Sequence, residues 1–232
     1  MARILITGAN RGIGLEFTRQ FLARGDRVVA ACRRPGKATE LTQLAAAHPG
    51  HLHVLAVDMA EPKAVLGLAR EAEMIWDSLD LLVNNAGVLH PGEHFGSVAA
   101  EDLVRSFAVN AMGPYLLLQA LAPMLARGSA PKAVHLSTRL ASLAECSRFG
   151  TASYAIGKAA LNMAMRQAAH GLVDSGVTSF LVSPGWVGTE MGGVDAELKV
   201  EDSVAALIAL IDRADTAMHG GFFNRMGEAI PW

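Results

Sequence analysis

The sequence predicts an α/β fold, a single doubly wound parallel sheet with helices on both faces. Three observations carry this prediction. Short apolar and β-branched runs recur along the chain, and segments long enough for helices separate them, an alternation that is typical of parallel sheets. The runs are continuously apolar, which indicates strands that are buried on both faces. A glycine-rich turn follows the first run directly, as a strand that leads tightly into a helix requires.

The predicted elements follow one another without a repeat, a low-complexity tract or a linker, so residues 1–232 are expected to form one domain. The strand runs are RILIT, DRVVAAC, HLHVLAV, LDLLVNN, AVHLST and VTSFLVS, and GGFFN is a candidate edge strand. Helices are predicted for residues 12–24, 36–47, 62–76, 99–127, 151–173 and 200–213.

Composition narrows the class of partner. Of the 232 residues, 51% are hydrophobic and 18% are charged, and the net charge of −2 comes with scattered basic residues. No basic patch is present to bind nucleic acid or an anionic membrane, so a small molecule or another protein is the expected partner. Polar residues and prolines such as Gln119 and Pro123 interrupt the apolar run at 114–125, which favours a buried helix over a membrane span.

The expected location is the cytoplasm. The start, MARILITGAN, reaches glycine and polar residues too soon for the apolar region of a signal peptide. Cys32 and Cys146 are the two cysteines, and so few thiols fit a reducing compartment. Neither the cysteines nor the histidines show a metal-ligand spacing, so no metal site is predicted.

Right-handed crossovers bring the carboxyl ends of parallel strands to one edge of the sheet, where ligands bind. The clusters TGANRGIG, NNAG, LSTRLAS and SPGWVGT each follow a predicted strand and are expected to meet at that edge. In TGANRGIG, Gly8, Gly12 and Gly14 lie between a strand and a helix, where a pyrophosphate can bind backbone N–H groups. A merely tight turn is the alternative interpretation of these glycines.

The end of the second strand predicts which dinucleotide binds. A carboxylate there commonly holds the ribose of NAD, whereas an arginine favours the additional phosphate of NADP. Here the strand ends in Cys32 and Arg33, and Arg11 in the glycine run is a second cation that can reach the phosphate. NADP(H) is therefore the preferred cofactor and NAD(H) the second candidate, with solvated arginines at a turn as the alternative interpretation.

The segment YAIGK places Tyr154 and Lys158 on one face of a predicted helix, because they are four residues apart. A phenol with a pKa of about 10 is a poor acid or base at neutral pH, but a neighbouring ammonium stabilises the phenolate and lowers that pKa. The spacing therefore suits a proton donor and the group that adjusts it. Taken alone, such a pair is also common on helix surfaces.

Together, TGANRGIG, NNAG, the single Asn110, YAIGK and SPGWVGT resemble the short-chain dehydrogenase/reductase family in order and spacing over essentially the whole chain. The segments STRLAS, YAIGKAALNM, SPGWVGTEMGG and IPW are most similar to the compact branch of C-factor-like and sniffer-like carbonyl reductases. This resemblance implies a Rossmann fold, an oxidoreductase activity on a ketone, an aldehyde or an alcohol, and a homodimer or homotetramer.

The resemblance also implies a role for each matching residue. Tyr154 would donate a proton to the carbonyl oxygen, Lys158 would bind the nicotinamide ribose and lower the pKa of the phenol, and Asn110 would hold a water that connects Lys158 to solvent. Asp58 matches a position near the adenine, and the loop after the sixth strand would fix the carboxamide. The implied cofactor-binding set is Gly8, Asn10, Arg11, Gly12, Ile13, Gly14, Arg33, Asp58, Asn84, Ala86, Gly87, Tyr154, Lys158, Pro184, Gly185, Val187 and Thr189.

Ser137 and Thr138 are the two candidate catalytic hydroxyls for the substrate carbonyl. The family commonly has two serines here and uses the second, which falls on Thr138, so this sequence departs from the usual residue. Neighbouring side chains in a strand point to opposite faces, so only one of the two can face the carbonyl. Threonine has the same hydrogen-bonding groups as serine. We therefore expect Thr138 to be the functional hydroxyl, Ser137 to point into the sheet packing, and Ser142 to line the loop beyond.

Two alternative functions remain open. A non-catalytic, cofactor-binding regulator has precedent among C-factor-like relatives and is compatible with Thr138, whereas the intact Tyr154, Lys158 and Asn110 favour catalysis. A sugar-nucleotide epimerase tolerates threonine at this position, but 232 residues leave no room for the C-terminal substrate domain of that branch. The loops around the site do not reveal a ligand by composition, and a lipophilic or aromatic carbonyl compound is the expected substrate.

Overall fold

The computed structural model describes residues 1–232, and its centre is a sheet of seven parallel strands. The strands are β1 (Arg3–Thr7), β2 (Arg27–Cys32), β3 (Leu52–Ala56), β4 (Leu81–Asn84), β5 (Lys132–Leu136), β6 (Thr178–Ser183) and β7 (Phe222–Asn224). They lie in the order β3-β2-β1-β4-β5-β6-β7, so the direction of winding reverses between β1 and β4. The predicted doubly wound sheet is confirmed, with β7 as an edge strand.

Helices cover both faces of the sheet. They are α1 (Gly12–Ala23), α2 (Thr39–Ala47), α3 (Pro62–Ile75), α4 (Ala100–Phe107), α5 (Gly113–Leu125), α6 (Ala152–Leu172) and α7 (Val200–Arg213). One apolar core lies between the sheet and α1, α2 and α7, and a second lies between the opposite face and α3, α5 and α6. Consecutive residues of β1, Ile4, Leu5 and Ile6, are all fully buried because the two cores share them. Two-sided burial therefore explains the continuously apolar strand runs.

The long helix predicted for residues 99–127 is divided. A π-helical turn, Ala108–Met112, joins α4 to α5 and contains Asn110. The side-chain amide of Asn110 accepts from the Val88 N–H at 2.9 Å and donates to the Val88 oxygen at 3.0 Å. A widened turn of this kind often marks a functional position, and apolar periodicity does not reveal it. The helix predicted from residue 36 begins at Thr39 instead, because a 3-10 turn at Pro35–Lys37 precedes it.

The segment Ala100–Leu125 is the one helical stretch that length and composition alone would allow to cross a membrane, with a mean hydropathy of 1.2 over 18 residues. In the fold, 61% of that window is buried. It packs against α3 and α6, and its Leu117, Leu118 and Leu121 belong to the second core. The apolar run is therefore part of the protein interior.

Candidate active site

The carboxyl ends of the strands surround a cavity of about 430 Å³. Its wall is formed by the loops that follow β1 to β6, so the polar clusters of the sequence meet at one edge of the sheet. The predicted site residues in this wall are Gly8, Asn10, Arg11, Gly12, Ile13, Arg33, Asp58, Ala86, Gly87, Ser137, Tyr154, Lys158, Pro184 and Thr189. The predicted site residues outside it are Gly14, Asn84, Asn110, Thr138, Gly185 and Val187.

The glycine-rich turn after β1 forms a cradle that side chains would fill. Gly8 and Gly12 have φ angles of +66° and +52°, and a Cβ on Gly8 would lie 2.8 Å from the Cα of Ala86. A Cβ on Gly14 would lie 2.3 Å from the Gly8 oxygen, so Gly14 allows α1 to pack closely and does not line the cavity. The first turn of α1 contains no acidic residue. Its N–H groups and partial positive charge therefore fit a pyrophosphate, and with it a dinucleotide.

The cavity wall is cationic, most of all where it follows β2. Asp58, in the loop after the neighbouring β3, is the acidic residue closest to it, and Arg105 Nη2 lies 3.0 Å from the Asp58 Oδ2 atom. Burial by itself would raise the pKa of Asp58, but the Ala60 N–H and the Arg105 guanidinium outweigh it and hold that pKa below its usual value. The wall contains six basic residues, Arg11, Arg33, Arg34, Lys37, Arg105 and Lys158, and two acidic residues, Asp58 and Glu190.

Ion pairs leave part of this positive charge free. Arg11 pairs with Glu190 of the loop after β6, and Arg105 pairs with Asp58, whereas Arg33 has no carboxylate partner. The sequence analysis did not identify Arg105. Its position in the helix just before Asn110 is the one feature that could have pointed to it. The free cations at the end of β2 fit an anionic group such as a phosphate monoester.

Tyr154 and Lys158 lie on α6 and line the cavity beside β5. The Lys158 ammonium is 6.0 Å from the centroid of the Tyr154 ring, and it donates a hydrogen bond of 2.6 Å to the Leu136 oxygen. No hydrogen bond within the protein involves the Tyr154 hydroxyl, which leaves its proton for a group bound in the cavity.

The pKa values of Tyr154 and Lys158 both shift because the pair is buried. Burial raises the pKa of Tyr154 to about 12, whereas the resemblance implied a value lowered by Lys158. Burial also lowers the pKa of Lys158 to about 8. Loss of hydration is the cause of both shifts, and the ammonium is directed at the Leu136 oxygen. The direction of the Tyr154 shift is opposite to the one expected from Lys158; Tyr154 keeps its proton at neutral pH, and the lowering by Lys158 stays a prediction.

Asn110 is fully buried and supports the loop after β4 without lining the cavity. Besides its two bonds to Val88, its Nδ2 atom donates to Ser106 Oγ at 3.0 Å. A Cβ on Gly87 would lie 3.2 Å from Asn110 Oδ1 and 3.7 Å from Lys158 Nζ, so the three residues are close neighbours. The structure thus shows Asn110 fixing the backbone beside Lys158, and the water that it would hold stays a prediction.

Ser137 and Thr138 have different hydrogen-bond partners. Ser137 is 3% exposed, and its hydroxyl donates to Asn162 Oδ1 at 2.6 Å, although the residue touches the cavity wall. Thr138 is half-buried and caps the 3-10 turn Arg139–Ala141, where its hydroxyl accepts from the Leu140 N–H at 3.3 Å. The Ser137 proton is therefore committed to α6, whereas the Thr138 proton is free to be donated.

Asn84 belongs to the implied cofactor-binding set, but its side chain does not reach the cavity. It is buried between strands, where Nδ2 lies 3.0 Å from His135 Nδ1 and donates to the Pro114 oxygen at 3.3 Å. Its neighbour Asn85 lines the cavity instead and donates from Nδ2 to the oxygens of Thr7 and Gly8, at 2.9 and 3.1 Å. Sequence reasoning missed Asn85, although the alternation of side chains at a strand end could have identified it.

Gly185 and Val187 shape the loop after β6 without lining the cavity. Gly185 has a φ angle of +88°, and a Cβ there would lie 2.5 Å from Leu198 Cδ1. Val187 is 4% exposed and pairs with Leu198 in an isolated bridge. These contacts hold Pro184 and Thr189, the two predicted residues of this loop that line the cavity.

Comparisons with known proteins agree with this geometry. A family model described as short chain dehydrogenase matches residues 2–198. C-signal of Myxococcus xanthus is 39% identical over 154 residues, which cover 66% of this chain and 93% of that protein. The structure of carbonyl reductase Sniffer of D. melanogaster has a TM-score of 0.94 at 28% identity and covers 100% of both chains.

A further solved structure is the NADPH-bound carbonyl reductase from chicken fatty liver. It has a TM-score of 0.93 at 29% identity and covers 100% of this chain and 99% of that chain. The match to the family extends over most of the chain and includes the glycine-rich turn, Tyr154 and Lys158. The chain therefore belongs to the short-chain dehydrogenase family and is an oxidoreductase.

Proposed function

We propose that the protein is an NADP(H)-dependent carbonyl reductase, which transfers hydride between the cofactor and a small-molecule ketone or aldehyde, or the corresponding alcohol. The observation that carries this proposal is the layout of one cavity. Free cations line it at the end of β2, and Tyr154 and Lys158 line it beside β5, three strands away. With strands about 4.8 Å apart, this separation is about 14 Å, which suits the two ends of an extended dinucleotide.

The residues of the chain bind and orient the cofactor and the substrate, and they deliver the proton. When bound, the nicotinamide supplies the hydride that the carbonyl carbon receives. Tyr154 donates its proton to the carbonyl oxygen, and the product is the alcohol. N–H groups at the start of α1 would hold the pyrophosphate, and Lys158 would hold the nicotinamide ribose. With a pKa of about 12, Tyr154 carries at neutral pH the proton that reduction of a carbonyl uses.

The cofactor preference depends on Arg33. We expect Arg33→Ala to weaken NADPH binding about tenfold, because a hydrogen bond to a charged group contributes about 1.5–3 kcal/mol. NADH binding should change less than about twofold, since NADH lacks the phosphate that Arg33 would bind. The dissociation constants of both cofactors are measured by fluorescence titration. Arg70→Ala, at an exposed arginine of α3, is the control. Equal losses for both cofactors, or an unchanged ratio, contradict the assignment.

The hydroxyl that binds the substrate carbonyl is assigned to Thr138. We expect Thr138→Val to lower kcat/KM for a carbonyl about a hundredfold, as the loss of one donor to a developing oxyanion does. Ser137→Ala should instead lower the free energy of unfolding by about 1 kcal/mol, because it removes the bond to Asn162. Steady-state kinetics and urea denaturation separate the two effects. Full activity of Thr138→Val together with an inactive Ser137→Ala would reverse the assignment.

A second candidate function is cofactor binding without turnover, as a regulatory or signalling protein. The likeness to C-signal favours it, and so does the position of Thr138 outside the cavity wall. NADPH consumption with a panel of aldehydes, ketones and diketones decides between the two, with NADH as the control. Turnover supports the reductase. Tight NADPH binding without reduction of any carbonyl contradicts the reductase and supports the regulator.

A further inference from the structure

We propose that residues 230–232 form a strap that positions the substrate side of the active site by holding the 138–145 loop against α6. This inference rests on the proposed function, because it gives the strap a part in carbonyl reduction. The strap comprises Ile230, Pro231 and Trp232, and none of the three lines the cavity. Its effect on the reaction must therefore pass through the loop that it contacts.

Two hydrogen bonds connect the loop to the strap. Ser142 Oγ donates to the Pro231 oxygen at 2.6 Å. The Ala144 N–H donates to the main-chain oxygen of Trp232 at 2.9 Å. Ser142 is 1% exposed, so its bond is shielded from water. The third hydroxyl of LSTRLAS therefore faces the strap and supports the loop.

The strap is itself anchored to β7 and α6. Ile230 is 5% exposed, and its N–H donates to the Phe222 oxygen at 2.8 Å. The Trp232 ring packs on Phe222 with ring centroids 5.7 Å apart, and the Arg166 guanidinium lies 4.9 Å from the Trp232 centroid. Arg166 belongs to α6, the helix that carries the catalytic tyrosine. Trp232 thus connects the loop to the helix that must be aligned with it.

Thr138 lies between two points at which its loop is tied. Before Thr138, Asn162 of α6 accepts from Ser137 Oγ at 2.6 Å. After Thr138, Asn162 Nδ2 lies 3.5 Å from the Ala141 oxygen, and the next residue, Ser142, is bound to the strap at 2.6 Å. If the strap is released, the loop keeps the short bond from Ser137 to Asn162, and after Thr138 only the 3.5 Å contact at Ala141 remains. The orientation of the Thr138 hydroxyl toward a carbonyl then becomes less well defined, which weakens substrate binding.

The kinetic test uses Trp232→Ala in the full chain. We expect kcat/KM for a carbonyl to fall about tenfold, mainly through a higher KM, because two loop hydrogen bonds of about 1 kcal/mol each lose their support. The dissociation constant of NADPH should stay within about twofold, since the strap lies outside the cofactor cavity. Trp232→Phe should restore most of the loss, because a phenyl ring can still pack on Phe222 and Arg166.

Trp76→Ala is the matched control. Trp76 is 8% exposed and packs on His53 at the end of α3, away from the loop. Its loss should destabilise the fold without changing KM. A merely structural role of Trp232 would likewise reduce the active fraction, and hence the apparent kcat, at constant KM. An unchanged KM in Trp232→Ala therefore overturns the proposal.

A second measurement does not need a substrate. Hydrogen–deuterium exchange of the Ala144 amide should become about tenfold faster in Trp232→Ala, because its bond to the main-chain oxygen of Trp232 is loosened. Amides of β5 should keep their protection. If the wild type reduces no carbonyl, the proposed function fails, and the exchange result alone decides whether the strap holds the loop. Equal Ala144 exchange in wild type and variant overturns the strap proposal whatever the activity.

Discussion

Tyr154→Phe is expected to lower carbonyl reduction about a thousandfold, within the range that general acid catalysis contributes. The substitution removes a hydroxyl that has no protein partner and lines the cavity, so its proton is available to the substrate. The substitution retains the aromatic ring, so the packing around this position of α6 is kept. NADPH binding should therefore stay within about twofold of the wild type, because the cationic wall and the glycine cradle are unchanged.

The measurement is single-turnover NADPH oxidation with a carbonyl from the panel that the wild type reduces. Tyr115→Phe is the matched control, because Tyr115 is the other of the two tyrosines and lies on α5, against the apolar core. It should retain full activity. A Tyr154→Phe enzyme that keeps more than about a tenth of the wild-type rate would show that water or another group supplies the proton.

Most of the fold could be predicted from the sequence because a parallel sheet buried on both faces leaves a simple pattern. Uninterrupted apolar runs mark strands such as β1 and β6, and each predicted strand and helix has a counterpart in the structure. The π-helical turn at Ala108–Met112 left no such mark. It depends on the bonds between Asn110 and Val88, which are 22 residues apart, and residue periodicity describes only local geometry.

Site residues could be predicted from the sequence where a glycine pattern or the strand order determines their position. They were harder to predict where the direction of the side chain decides whether a residue lines the cavity. Gly8 and Gly12 form the cradle that their pattern indicates, and Tyr154 and Lys158 share the cavity. Asn84 and Asn85 are adjacent in sequence, yet one lies in the sheet and the other in the wall. The raised pKa of Tyr154 was also beyond the sequence, because it depends on how much water the folded cavity admits.

Lys158→Met is expected to stabilise the protein while it abolishes carbonyl reduction. Lys158 is 3% exposed, and burial lowers its pKa to about 8 from an ordinary value near 10.5. At pH 7 the buried ammonium therefore costs about 3 kcal/mol relative to a lysine whose pKa does not change on folding. Methionine removes this cost but leaves the Leu136 oxygen without its 2.6 Å partner, which offsets about 1 kcal/mol. The net gain at pH 7 should be about 2 kcal/mol in the free energy of unfolding.

The dependence on pH identifies the cause of this gain. Below pH 8 the lysine is charged in both the folded and the unfolded state, and the full cost is present. As the pH rises from 8 towards 10.5, the folded state releases its proton first, so wild-type stability rises and the cost disappears above both pKa values. Urea denaturation at pH 7 and pH 9.5 should show the advantage of Lys158→Met shrinking by about 2 kcal/mol. Lys63→Met, at an exposed lysine of α3, is the control and should show no such change.

A Lys158→Met protein that is less stable than the wild type at pH 7 would mean that the bond to the Leu136 oxygen outweighs the cost of burial. A more stable but inactive protein would show instead that the fold carries an unfavourable buried charge for the sake of the reaction. Methionine has no donor to hold a ribose hydroxyl and no positive charge to orient a bound cofactor beside Tyr154. Stability and activity therefore respond in opposite directions to one substitution, as expected for a residue that is kept for chemistry at the expense of stability.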